Sequence, residues 1–292
     1  MNSVHPRHWV LVASWILALA TVTASQDLTL PLQKGSVHFA VIGDSGTGGS
    51  SQYQIAQRLT AIRAKFPFDI VLMMGDNLYG GNGPLDYENK FERPYKELLS
   101  ANVKFYATLG NHDDTNQRLY KPFNMNGERY YTFKPPNASV RFFSLDSNYM
   151  DPPQIAWLEK ELANSQSDWK IMFFHHPMYS SGGTHGSDLK LREQLEPIFV
   201  KYGVDVVLNG HDHFYERIKP QKGIQYFVTG GAAKLRSGDI KKGPLTEKGF
   251  DTGYHFMLVE IAGDNFHFQV ISDKGATVDS GVVPRRKVVA PQ

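Results

Sequence analysis

Five times along the chain an apolar run stops and a ligand-bearing side chain follows at once: Gly43-Asp44, Gly75-Asp76, Gly110-Asn111-His112, Phe174-His175-His176 and Gly210-His211-Asp212-His213. Tyr79 stands three residues beyond Asp76. A single Gly-Asp after a strand is most often a turn, and a lone His-x-His pair is weak evidence of anything. Five in series are different, because the carboxyl ends of strands in an open α/β sheet converge on one crevice. In extended backbone, residues two apart point to the same side, so His211 and His213 are expected to reach into one cavity. Glycine ahead of a ligand lets backbone crowd the site. Two aspartates, an asparagine, several histidines and a tyrosine are more than one ion needs, and an aspartate bridging two ions accounts for the excess. The chain has no cysteine, so any metal site must use nitrogen and oxygen ligands.

Rival chemistries are poorly served. GDSGTGGSS at 43–51 resembles a phosphate-cradling glycine loop, yet it lacks both the Lys-Ser/Thr end and the G-x-G-x-x-G spacing. No G-x-S-x-G elbow supports a serine hydrolase. The 31 basic and 29 acidic residues leave a formal charge of +2, which points to neither nucleic acid nor a polybasic membrane anchor. Of the other candidates, Asp212 is expected to point away from its flanking histidines and bond backbone. Asp113 is a candidate to orient His112, and the basic stretch Pro284-Arg285-Arg286-Lys287 reads as a solvated tail.

The elements that must position these residues can be read from the same sequence. Its 292 residues, 41% apolar and 21% charged, suit one large globular domain. Residues 1–24 read as an export signal: His5, Arg7 and His8 precede an apolar run of about 14 residues, short for a span that needs roughly 20, and Val22-Thr23-Ala24 offers a cleavage site. Export without disulfides fits a bacterial periplasmic or secreted protein. Strands are expected at 37–43, 69–74, 103–109, 140–146, 170–175 and 204–209, and helices at 52–66, 153–163 and 188–202, the last capped by Asp188. Beyond 223 only strands are expected, at 224–229, 254–261, 266–272 and 277–282. Strand–helix alternation implies parallel pairing, and the late antiparallel strands imply a second sheet packed on the first. The fold class is therefore α/β, a four-layer αββα sandwich of two mixed β-sheets flanked by helices.

GDSG, GDNLY, GNHD, FFHH and GHDH, in this order, resemble the five motif blocks of the calcineurin-like metallophosphoesterases, over about 36–285. The tyrosine of GDNLY makes the chain similar to the purple acid phosphatases, and its size to their small, tartrate-resistant form. The resemblance implies an acid phosphatase with a dinuclear centre, in which a metal-bound hydroxide attacks a phosphate monoester. By the same resemblance Asp44, Tyr79 and His213 would hold Fe(III); Asn111, His175 and His211 would hold a divalent Fe, Zn or Mn; and Asp76 would bridge them. The chemistry of the side chains agrees, since a phenolate beside a strongly charged cation is cheap where a free one is not. His112 is similar to the family's phosphate-facing histidine. His185, on the glycine-rich loop 180–186, is a surface histidine or a substrate contact, and either it or His112 would protonate the leaving oxygen. His176 is assigned no metal. Small phosphate monoesters, phosphoproteins included, are the expected partners, with no nucleic acid and no stable membrane anchor. Two alternatives stay open: a phosphodiesterase or nucleotidase of the same superfamily, and an exported phosphate- or metal-binding protein without turnover. The stretch 148–154 is short where small animal-type relatives carry a long exposed loop.

Overall fold

From Val37 onward, the apolar runs form strands, and the runs of apolar residues at helical spacing form helices. The structure, a computed structural model, describes Met1 and residues 27–165, 169–241 and 243–286; the expected export signal lies, Met1 apart, outside the described residues. In chain order come β1 (Val37–Ile42), α1 (Ser50–Arg63), β2 (Ile70–Met73), the short helices α2 (Pro84–Tyr87) and α3 (Lys96–Ser100), β3 (Lys104–Ala107), β4 (Tyr131–Phe133), β5 (Val140–Ser144) and α4 (Pro152–Ala163). Then follow β6 (Trp169–Phe173), α5 (Leu189–Tyr202), β7 (Val206–Asn209), β8 (Tyr215–Gln221), β9 (Ile224–Thr229), β10 (Thr246–Phe250), β11 (His255–Ala262), β12 (Asn265–Ser272) and β13 (Thr277–Pro284). Asp188 caps α5 as expected, its carboxylate accepting from the Leu191 N–H.

The strands form two sheets, ordered β13-β12-β11-β1-β2-β3 and β10-β8-β9-β7-β6-β5-β4. Parallel and antiparallel strands are divided between them rather than segregated. The first sheet joins parallel β1, β2 and β3 to the antiparallel β11, β12 and β13. The second joins parallel β5, β6, β7 and β9 to antiparallel β4, β8 and β10. Phe39 of the first sheet meets Phe142 of the second edge-on at 5.1 Å, and Phe227 meets Phe268 at 5.0 Å, so an aromatic core fills the space between the sheets. The outer faces are covered by Ile55, Leu59 and Ile62 of α1 and by Leu158, Leu162, Leu191, Leu195 and Phe199 of α4 and α5. The result is the expected four-layer α/β sandwich of two mixed sheets.

Of the basic stretch expected to be a solvated tail, Lys287 lies outside the described residues, and Arg286 is tied down. Arg286 donates from its backbone N to Asp205 Oδ1 (3.1 Å) and from Nη1 to the Val204 carbonyl (3.0 Å), which fastens the chain to the start of β7. Three like charges gave no sign of this because the partner, Asp205, lies far away in sequence.

Candidate active site

The parallel strands of both sheets end on one side of the sandwich, and the expected ligands stand just past those ends. Backbone bonds tie the ends together within each sheet: Asp44 N to Gly75 O (3.1 Å) in the first, Gly210 N to His175 O (3.0 Å) in the second. Side chains tie one sheet to the other. The His211 N–H donates to Asp44 Oδ2 (2.9 Å), and His175 Nδ1 meets the Met74 carbonyl oxygen at 2.8 Å. The glycines are where the ends interlock. A Cβ on Gly110 would stand 2.2 Å from Asp76 Oδ1, and one on Gly210 would stand 2.7 Å from Asp44 Oδ2, so any side chain there would displace a carboxylate.

Two groups of ligand atoms result. Those of Asp44, Asp76 and His213 lie within 4.8 Å of one another, and Tyr79 joins them, its hydroxyl donating to Asp44 Oδ1 (3.2 Å) and facing His213 Nε2 (3.4 Å). The second group contains His175, His176 and His211, again within 4.8 Å. Asn111 Oδ1 approaches His175 Nε2 at 3.0 Å, and His211 Nδ1 approaches the same nitrogen at 3.1 Å. Asp76 connects the groups, with Oδ1 3.4 Å from His175 Nε2. The donor set suits cations. Burial, followed by the charges of neighbouring histidines, holds His211 down to about 2; burial and then Arg236 hold His213 at about 4, so both imidazoles stay neutral with lone pairs to offer. Burial and the neighbouring Asp76 push the Asp44 carboxyl well up, and burial followed by Asp44 and Asp76 pushes the Tyr79 phenol up. Two buried carboxylates and a phenol crowded together are the surroundings a multivalent cation relieves.

The structure brings His112 and His185 to the same place. The exposed His112 is fixed through its backbone N–H, which donates to Asp76 Oδ1 (3.0 Å), and its ring lies 4.9 Å from that of Tyr79. The His185 ring lies 4.2 Å from that of His211. Three details differ from expectation. His211 has φ +69°, so the two histidines of the His-x-His pair reach the site through a left-handed kink and not by strand alternation; Asp44 and Asp76 share this backbone, at +55° and +51°. Asp113 does not orient His112. Its carboxylate accepts from Gly110 N (2.8 Å), Asn77 N (3.1 Å), Asn77 Nδ2 (2.9 Å), Leu78 N (3.0 Å) and Gln117 Nε2 (2.9 Å), stapling the loop after β2 to the loop after β3. Asp212 bonds backbone as expected, at Gly186, and accepts from the Ser180 hydroxyl as well, anchoring the loop that carries His185. His176 stands among the second group's possible ligands, with Nδ1 2.8 Å from Ser147 Oγ. No motif marks Ser147, and only its place three residues past the end of β5 could have suggested it.

A model of the family described as calcineurin-like phosphoesterase matches residues 37–215. Purple acid phosphatase 17 of Arabidopsis thaliana is 30% identical over 247 residues, covering 73% of this chain and 72% of that protein. The chain belongs to the purple acid phosphatases. Within this branch of the calcineurin-like phosphoesterases, Purple acid phosphatase 7 of the same plant is 29% identical, with 83% of this chain and 85% of that protein covered. Human tartrate-resistant acid phosphatase type 5 is 26% identical, with 89% and 96% covered. A dinuclear metal centre is typical of the family. Among solved structures, the purple acid phosphatase PPD1 from yellow lupin superposes with a TM-score of 0.73 at 19% identity, over 87% of this chain and 54% of that one. GAP50, described as the anchor in the inner membrane complex of Plasmodium, superposes with a TM-score of 0.77 at 20% identity, over 86% of this chain and 90% of its own. A fold shared with an anchor does not by itself decide turnover; the side chains at the site must.

Proposed function

We propose that this chain is an acid phosphatase that hydrolyses phosphate monoesters, phosphoproteins among them, at a dinuclear metal centre in a catalytic domain spanning 36–285. Asp44, Tyr79 and His213 would hold a ferric ion, and Asn111, His175 and His211 a divalent iron, zinc or manganese. Asp76 would be shared. The position of Asp76 carries this reading, because its carboxylate stands within ligand-sharing distance of Asp44 and His213 and 3.4 Å from His175 Nε2. When bound, the two cations would neutralise charge developing on the phosphate and make hydroxide available below neutral pH. The chain's own residues do the rest. The Met74 carbonyl can only accept, so it keeps the His175 proton on Nδ1 and leaves the Nε2 lone pair facing the site. His112 and His185 flank the place where a phosphate would sit, and one of them would give the leaving oxygen its proton. The charged start and short apolar run within 1–24 support export to the periplasm or medium. No helix among the described residues is long and apolar enough to cross a membrane.

Purified protein assayed with a chromogenic phosphate monoester and the matching diester, at acid and neutral pH, tests the activity. Preferential turnover of the monoester at acid pH is expected; preference for the diester, or no turnover with metal loaded, would overturn it. Tyr79 tests the ferric site. Iron-loaded protein should be purple to pink, and Tyr79→Phe should lose both the colour and the first metal. A colourless wild type would remove the purple acid phosphatase assignment of this ligand.

A further inference from the structure

The segment that leads from β5 into α4 and the loop after β3 border a cavity of about 450 Å³ beside the second group of ligand atoms. Asn111, Asp146, Asn148, Tyr149, His176 and Asp188 line it, and no lysine or arginine does. Its volume falls in the range of small-molecule sites, about 300–1,000 Å³. Asn111 and His176 stand both on its wall and at the second group. An ester whose phosphate meets that group therefore has this cavity as the space next to its leaving group.

The polar atoms of the wall divide into those already engaged and those left open. Asp113, also on the wall, is filled by its five donors, and Asp146 by Arg129 Nη1 (2.8 Å) and by the backbone N and Nδ2 of Asn148 (3.1 Å each). Asp188 uses only Oδ1, on the Leu191 N–H (2.8 Å), and Asn148 also directs Nδ2 to the Leu109 and Gly110 carbonyls (3.3 Å each). Asp188 Oδ2 and Asn148 Oδ1 are thus acceptors with no donor among the described residues. His176 supplies a donor. Ser147 Oγ accepts from the His176 backbone N–H (3.1 Å), so its own proton goes to the ring Nδ1 at 2.8 Å and the ring carries its hydrogen on Nε2. Tyr149 adds an exposed aromatic ring, with the Arg129 guanidinium 5.9 Å from its centroid.

We propose that this cavity is a leaving-group pocket selective for neutral, hydroxyl-bearing alcohols, which makes sugar and polyol phosphates the substrate class. This rests on the phosphatase reading above and narrows it. Hydroxyls match the open atoms, because each can donate to Asp188 Oδ2 or Asn148 Oδ1 and accept from His176 Nε2, while C–H faces pack on the Tyr149 ring. A leaving group with its own carboxylate would instead meet three carboxylates, of which Asp146 is ion-paired with Arg129. Lys190 lines a smaller hollow that shares Asn148 and Asp188, so charge selection is measured separately from hydroxyl selection.

Glycerol 3-phosphate against n-propyl phosphate tests the hydroxyls, and glycerol 3-phosphate against 3-phosphoglycerate tests the charge. The wild type is expected to favour glycerol 3-phosphate in each pair by about tenfold in kcat/KM, equivalent to one hydrogen bond to a charged group. Asp188→Asn still caps α5 but loses the charge and the open carboxylate oxygen, so both ratios should move toward one. A ratio taken within one enzyme does not depend on how fully its metal site is loaded. Wild-type ratios near one, or ratios that Asp188→Asn leaves unchanged, would overturn the pocket. So would a preference for O-phosphoethanolamine over glycerol 3-phosphate, which would assign the cavity to a cationic leaving group. Should Asp188→Asn fail to fold, the two enantiomers of glycerol 3-phosphate, equal in charge and leaving-group pKa, must still differ in kcat/KM, and equal values rule out hydroxyl recognition. Turnover of p-nitrophenyl phosphate with none of the alkyl esters accepted removes the pocket and leaves the phosphatase reading standing. If p-nitrophenyl phosphate is not turned over either, with metal loaded, the phosphatase reading fails and the pocket falls with it.

Discussion

Met74 and His175 follow strands in different sheets, and the carbonyl oxygen of the first lies 2.8 Å from Nδ1 of the second. One hydrogen bond thus joins the two sheets at the site and sets a tautomer. With the proton committed to Nδ1, Nε2 is the atom presented to Asp76 and Asn111, at 3.4 and 3.0 Å. The contact needs close backbone approach, and Gly75 provides it: φ is +86°, and a Cβ there would stand 2.6 Å from His175 Nδ1.

Gly75→Ala should therefore damage the site more than the fold. Left-handed backbone costs alanine about 1–2 kcal/mol, and the added methyl would also press on the Gly110 backbone at 2.8 and 2.9 Å, so the strain falls on two of the ligand-bearing loops. Displacing the His175 ring by even 1 Å should lower kcat/KM by about 100-fold. Chemical denaturation and metal analysis on the same sample check this. An active variant with full metal content would show that the Met74–His175 contact is not needed to place the ligand.

Asp113 makes a contrasting case. Five donors converge on its carboxylate, and Asp113→Asn would turn an amide N–H₂ toward groups that only donate, costing about 3 kcal/mol of stability. The dependence of turnover on leaving-group pKa should stay as in the wild type, because Asp113 does not touch His112. A change in that dependence, with stability unaltered, would restore the role expected from sequence.

The fold and the convergence of strand ends were legible because they rest on local signals: apolar runs for β1, β2 and β5–β7, helical spacing for α1, α4 and α5, and polar residues placed after glycine. β8 and β10 escaped. Their sequences, YERIKPQ and TEKGF, carry no apolar period, and Glu216 is buried only because Ser181 N and Thr246 Oγ1 come to it from distant segments. The left-handed backbone at Asp44, Asp76 and His211 escaped for a related reason, since no glycine occupies these positions to announce it. The partners of Asp113 depend on which loops the two sheets bring together, which the residue types alone do not state.

His255 gives a pH dependence that can be isolated from the metal site. It is fully buried in β11, with Nε2 3.2 Å from Thr229 Oγ1, and burial lowers its pKa to about 3. An unfolded histidine titrates near 6.5. Between these values the unfolded chain binds a proton that the folded chain refuses, so stability falls as pH drops, by about 1.4 kcal/mol per unit from this residue alone. His255→Gln removes that contribution and leaves the carboxylates common to both proteins. Between pH 7 and 4.5 the wild type should lose about 2–3 kcal/mol more than the variant in urea denaturation. Parallel losses would mean that His255 is protonated in the folded state.

The two histidines proposed to flank the phosphate can be told apart by what each substitution does to substrates of different leaving-group pKa. His112 is anchored by its backbone to Asp76, while His185 rides on a loop held by Asp212, with its ring tilted against that of His211 at 4.2 Å. A general acid matters most when the departing oxygen is basic, contributing roughly 10²–10⁴-fold, and little when the leaving group is a nitrophenolate. Substituting asparagine at the true donor should therefore lower kcat on alkyl phosphates by about 100-fold or more and on p-nitrophenyl phosphate far less. At the other position both substrates should fall together, through KM. If His112→Asn and His185→Asn each lower the two substrates equally, neither histidine donates the proton, and the donor is a solvent molecule that both merely orient.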